Sequence, residues 1–179
     1  MRFTDPGWVY PVPIAADGRK ASISDGFHAR GDMRFRNGVG HRGHDIMYRK
    51  PRSGPAHHPW SSRWYEMIPH TPALAAGPGL VFRAGRLATG WHVIIDHGDG
   101  AGTGYHHLAE ILVRKGQIVT AGLPVGIVGG SPIGYGLAHL HCDVAQDGKF
   151  FDAARLMARW RHVPLPALVD PGAVPYEQS

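Results

Sequence analysis

A chain of 179 residues with 43% hydrophobic and 18% charged residues has the composition of one globular domain and excludes a disordered or low-complexity chain. Its one cysteine, Cys142, excludes an internal disulfide and a thiolate-rich zinc site, so a metal here must be held by histidine and carboxylate. The net charge of +5 suits a polyanionic partner, but the basic residues are scattered, with no long Lys/Arg run, which argues against nucleic acid.

In chain order, residues 1–20 are rich in proline and glycine and read as an irregular lead-in with one extended piece at Trp8–Val12. No charged region followed by an apolar one is seen there, so no signal peptide is expected, and no apolar run approaches the ~20 residues of a membrane span. "ASISDGFHARG" reads as a short strand entering a turn, Asp32–Gly40 as a loop, and "GHRGHDIMYRK" as glycine-punctuated and then extended. Prolines and aromatics mark residues 51–72 as a loop insertion.

Beyond it the β signals are dense. "GLVFRAG" is a strand. "GWHVIIDHGDG" is a β-branched strand over Trp91–Asp96 that ends in a tight turn, and "GTGYHHLAEI" is its antiparallel partner. "ILVRKGQIVTAGLPVGIVGG" gives short strands between glycine turns. In "LAHLHCDVAQDGKFFD" the strand is placed at Leu137–Val144, with Asp147-Gly148 as a type I′ hairpin turn. Asp152 is the expected N-cap of a helix over Ala153–Arg161, whose residues Ala153, Leu156, Met157 and Trp160 share one apolar face. The fold class is mostly β: an antiparallel β-sheet single domain with a short C-terminal helix, followed by a proline-rich tail at residues 163–179.

Three pieces can converge on one site: His41 with Asp45, Tyr105 with His107, and His139 with His141. On a strand, His139 and His141 face the same way, and Leu140 and Cys142 face the core. A hydrolytic zinc site needs three protein ligands, an open fourth position and groups that move protons. His97, Asp96 and Asp99 read as turn residues. His28, His57, His58, His70, His92 and His162 show no partner pattern, and His44 and His106 are expected to face away from the site.

Taken in order, "SDGFHARG", "GHRGHDI", "WHVIIDHGDGAGTGYHHL", "VRKGQIVTAGLPVGIVGG" and "AHLHCDV" resemble the lysostaphin-type (LytM-like) zinc endopeptidases that cut bacterial peptidoglycan peptides. The resemblance covers about residues 22–148. It implies a lysostaphin-like peptidase domain over residues 21–162 that binds one Zn²⁺ through His41, Asp45 and His141, with His107 and His139 as the catalytic pair. Peptidoglycan peptide is the implied substrate, and a monomer is expected, with no nucleic acid partner and no membrane span. Action is expected in the cell envelope or outside the cell, by an export route the sequence does not define. Ala138, Cys142 and Asp143 depart from the residues common in that family, and none of the three is expected to touch a ligand. Tyr105, Trp60 and Trp64 are candidate substrate contacts.

Three rivals weigh against this. A non-catalytic wall-binding or regulatory module of the same fold would be expected to have lost ligand positions, and all five are present. A biotinyl or lipoyl carrier would need a lysine at a hairpin tip, and Lys115 is not so placed. A nucleic-acid binder has only the net charge in its favour.

Overall fold

The computed structural model describes residues 2–28, 40–51, 64–129 and 137–165. Its elements are β1 (Ala21–Asp25), β2 (His44–Arg49), β3 (Tyr65–Glu66), β4 (Pro72–Leu74), β5 (Gly79–Leu87), β6 (Gly90–Gly98), β7 (Ala101–Ile111), β8 (Ile118–Val119), β9 (Pro124–Val128), β10 (Leu140–Gln146), β11 (Lys149–Phe150) and α1 (Ala154–Met157). Among the described residues, eleven strands form one sheet with the path β1-β2-β10-β7-β6-β5-β8; β3 pairs with β2, β11 with β10, and β9 with both β4 and β7. Every strand pairing is antiparallel, as the sequence predicts.

Local chemistry sets the hairpins. Asp147 (φ 51°) and Gly148 (φ 74°) join β10 to β11 between the paired residues Gln146 and Lys149. Two consecutive positive φ angles define the predicted type I′ turn, which Asp-Gly tolerates well. Asp99 (φ 51°) and Gly100 (φ 75°) connect β6 to β7 in the same way.

Strand β10 shows how the sheet divides its labour. Leu140, Cys142 and Val144 are fully buried. His141 and Asp143 alternate with them onto the opposite face. Cys142 is therefore core filler, as expected, and burial pushes its thiol pKa up.

Four expectations need correction. Strand β10 begins at Leu140 rather than Leu137, so His139 precedes it. The helix is one turn, Ala154–Met157, followed by tighter turns in which Arg159 N donates to Leu156 O and Trp160 N to Met157 O. Ala153 is its N-cap, and the Asp152 carboxylate accepts from Ala154 N (3.0 Å). The N-terminal lead-in is irregular, as expected, and joins the core: Trp8, Val9, Tyr10 and Val12 are buried, Trp8 stacks on Trp160 at 5.3 Å, and Val9 bridges Arg161. Finally, the stretch expected to be a loop over residues 51–72 contains β3, which pairs Tyr65 with Arg49 and Glu66 with Tyr48; residues 52–63 lie outside the described residues.

Among the described residues, no helix is long and apolar enough to cross a membrane.

Candidate active site

Neighbouring strands β2, β10 and β7 bring the predicted residues together. His141 on β10 is opposite Asp45 on β2 and His106 on β7. His41, just before β2, is held by an antiparallel bridge to His28.

The three candidate metal ligands converge tightly. His41 Nε2 lies 3.0 Å from Asp45 Oδ1 and 2.9 Å from His141 Nδ1, and His141 Nδ1 lies 2.9 Å from Asp45 Oδ1. His41 and Asp45 are buried, and His141 is mostly so.

The outward partners of these groups fix what faces inward. His41 Nδ1 donates to the Gly26 carbonyl at 2.6 Å, which leaves Nε2 with a lone pair. His141 Nε2 donates to Asp143 Oδ1 at 2.9 Å. Three electron-rich atoms thus meet in a space where a cation or a shared proton relieves their mutual repulsion. The hydrogen bonds to Asp143 and Asp45 outweigh the opposing effect of burial and raise the His141 pKa above the usual imidazole range. Burial opposes charge on Asp45 too, but its histidine partners hold its carboxyl well below the usual range. Two neutral nitrogens and one carboxylate oxygen are the donor set of a three-ligand zinc site, so these residues fit the ion.

A second His/Asp group shares His41: Asp25 Oδ1 accepts from His28 Nε2 at 2.9 Å, and Asp25 Oδ2 lies 3.4 Å from His41 Nδ1. Because His41 Nδ1 already donates to Gly26, His41 offers an ion Nε2 alone, and this outer set contacts the opposite edge of its ring.

The two remaining predicted histidines flank the cluster. Their ring centroids are 4.8 Å apart, and that of His107 is 5.7 Å from that of His141. His139 Nε2 lies 3.6 Å from Asp45 Oδ1. Each ring commits Nδ1 as a donor to a backbone carbonyl, His107 to Thr89 (3.1 Å) and His139 to Leu137 (2.7 Å). Each therefore keeps a basic Nε2. Burial pushes the His107 pKa down to about 4, so it is neutral near pH 7.

His107 reaches this position through an irregularity of β7. Between the pairs Trp91↔Leu108 and Val93↔Tyr105 the register shifts, with one more residue on β7 than on β6, and His107 has a φ of 59°. A β-bulge of this kind re-aims side chains.

The sequence reading missed two members of the site. His106 was expected to face away, yet its Nε2 donates to Asp143 Oδ2 at 2.7 Å. Asp143 was expected to touch no ligand, yet it accepts from His141. The signal for Asp143 was available, because residues 141 and 143 of one strand share a face. His44 does face away, with Nε2 3.2 Å from Asp152 Oδ1.

Tyr105, a candidate substrate contact, presents no exposed surface. It is fully buried, its hydroxyl accepts from Ala76 N (2.7 Å), and it pairs with Thr103 Oγ1 (2.8 Å). Trp64 is half-buried beside β3, and Trp60 lies outside the described residues.

Residues 61–153, just over half of the chain, match the model of peptidase family M23. His41 and Asp45 lie ahead of that segment, so their roles rest on the geometry above. The peptidoglycan DD-endopeptidase ShyA of Vibrio cholerae is 35% identical over 86 residues, which are 48% of this chain and 20% of ShyA. The chain therefore spans about a fifth of that curated relative. Among solved structures, a zinc containing peptidase from Vibrio cholerae aligns with a TM-score of 0.61 and 23% identity, over 89% of this chain and 41% of that one. The catalytic domain of lysostaphin from Staphylococcus simulans aligns with a TM-score of 0.55 and 22% identity, over 79% and 94% of the two chains. At these identities the structural matches establish a shared lysostaphin-like fold. The family-model match, over more than half of the chain, shows that the chain belongs to peptidase family M23.

Proposed function

We propose that this chain is a zinc-dependent endopeptidase that hydrolyses peptide cross-links or stem peptides of bacterial peptidoglycan, acting in the cell envelope or outside the cell. The observation that carries this reading is the meeting of His41 Nε2, Asp45 Oδ1 and His141 Nδ1 within 2.9–3.0 Å of one another. These three residues would hold the ion. A bound zinc supplies Lewis-acid polarisation of a carbonyl and a more acidic water.

The chain's own groups do the rest. His107 and His139 present Nε2 lone pairs beside the cluster, and either can take the proton from the attacking water. The protonated ring can then donate to the oxyanion or to the leaving amine. Backbone carbonyls hold both rings by Nδ1, which fixes the reactive nitrogen before substrate arrives. All five side chains come from one chain, so the reading needs no second copy. The basic net charge of +5 favours an acidic polymer such as peptidoglycan. ShyA's description as a peptidoglycan DD-endopeptidase supports the substrate class.

The test is metal analysis together with digestion of purified peptidoglycan and mass spectrometry of the released fragments. One zinc per chain, new amino termini in the digest and loss of both in His141→Ala are expected. A folded wild-type chain that holds zinc and leaves every peptide bond intact points instead to a non-catalytic module.

A further inference from the structure

We propose that Asp143, braced by His106, is the positioning residue of the metal cluster: its carboxylate bridges the two rings and selects which nitrogen of His141 faces the ion. The proposal rests on the reading of His41, Asp45 and His141 as ligands. A carboxylate only accepts, so His141 Nε2 (2.9 Å, to Oδ1) and His106 Nε2 (2.7 Å, to Oδ2) must both donate to it. His141 is then left with a lone pair on Nδ1, the atom that lies 2.9 Å from both Asp45 Oδ1 and His41 Nε2.

The surrounding backbone is cut to fit this bridge. A Cβ on Gly43 would lie 2.6 Å from His141 Nε2 and 2.7 Å from Asp143 Oδ1. A Cβ on Gly104, the cross-strand partner of Asp143, would lie 3.0 Å from His106 Nε2 and 3.2 Å from Asp143 Oδ2. Each hydrogen bond of the carboxylate thus runs past a glycine, one on each flanking strand segment. On its far side the His106 ring is stacked against buried His92, with centroids 5.9 Å apart and planes 10° apart. The brace therefore runs from β6 through β7 to the ligand on β10. Partners of this kind orient a ligating imidazole and raise its basicity, and their loss costs roughly 10–100-fold in metal affinity.

The experiment measures zinc affinity of the metal-stripped full chain by competition with a chromophoric chelator, for wild type, Asp143→Ala, Asp143→Asn and His106→Gln. It is paired with ¹⁵N NMR of the zinc-loaded forms to read the His141 tautomer. Asp143→Ala is expected to weaken zinc binding by about 10–100-fold and to lose the fixed Nε2–H signature. Asp143→Asn keeps an accepting oxygen for His141 but loses the charge, and should fall between wild type and Asp143→Ala. His106→Gln keeps a donor for Asp143 and should stay closer to wild type than either. Equal affinity in wild type and Asp143→Ala overturns the proposal. If Asp143→Ala does not fold, equal affinity and an unchanged tautomer in Asp143→Asn overturn it. Wild type that takes up no zinc sinks the ligand assignment and this proposal together. Wild type that binds zinc but cuts no peptidoglycan removes the proposed activity and leaves the positioning role standing.

Discussion

His106 and His107 are consecutive on β7, yet both rings lie beside His141, at centroid distances of 5.5 Å and 5.7 Å. A regular strand would send them to opposite faces. The register shift and the left-handed backbone at His107 (φ 59°) undo that alternation. A β-carbon in this region costs about 1–2 kcal/mol, and such strain persists where the surroundings over-determine it.

The cost should separate stability from activity at position 107. His107→Gly removes the strain and His107→Ala keeps it. Both lose the imidazole, so both should retain zinc and lose turnover by about 10²–10⁴-fold. The glycine variant should be about 1 kcal/mol more stable than the alanine variant in denaturant titrations. Loss of zinc from both would mean that His107 is a ligand and that the roles are assigned the wrong way round.

Gly43 offers a way to disturb the site without touching a ligand. It has no left-handed φ, so alanine is conformationally allowed there. Its β-carbon would nevertheless press on His141 Nε2, Asp143 Oδ1 and the Cys142 carbonyl, all within 2.8 Å. Gly43→Ala is expected to weaken zinc binding at least tenfold, at the lower end of the loss for a removed ligand partner. Calorimetric titration of the stripped protein with zinc checks this; wild-type affinity would show that the strand yields.

The strands followed from β-branched runs, and the Asp147-Gly148 turn from its residue types, because both are local preferences. The convergence of His41, Asp45 and His141 was approached through paired spacings and a resemblance. By contrast, the bulge at His107 depends on how β7 registers against β6 some fifteen residues earlier in the chain, which no local pattern encodes. His106 was misassigned for the same reason. Asp143 was misassigned although the strand period already placed it beside His141. Proline and glycine mark the lead-in as irregular, but its packing depends on partners distant in the chain. Trp8 packs on Trp160 and Tyr10 on His162, both in the far C-terminal segment.

Tyr105 belongs to a buried polar chain whose direction is fixed at both ends. His97 Nδ1 donates to the Pro78 carbonyl (2.8 Å), so His97 Nε2 accepts from Thr103 Oγ1 (2.8 Å). Thr103 in turn accepts from the Tyr105 hydroxyl, which accepts from Ala76 N. Tyr105→Phe strips the Ala76 N–H of its partner and should cost about 1–3 kcal/mol in stability. Turnover and KM per folded molecule should be unchanged. A raised KM would mark Tyr105 as a substrate contact.

The same chain sets an acid response at His97. Burial, the largest influence, lowers the pKa of its imidazole, against the raising effects of the Pro78 carbonyl and Asp96. The native state therefore favours the neutral ring. Above the unfolded-state pKa of about 6.5 neither state is protonated, and the full contribution is present. As pH falls below that value the unfolded chain takes up a proton that the native site resists, and stability drops until the native pKa is reached. His97→Asn keeps a donor for the Pro78 carbonyl but cannot titrate. Other buried histidines shift in the same direction, so the informative quantity is the difference between wild type and variant. That difference should favour wild type most above pH 7 and narrow steadily toward pH 5 in denaturant titrations across that range. A difference independent of pH would mean that His97 titrates alike in both states and that its role is packing against Trp8, whose ring lies edge-on at 4.7 Å.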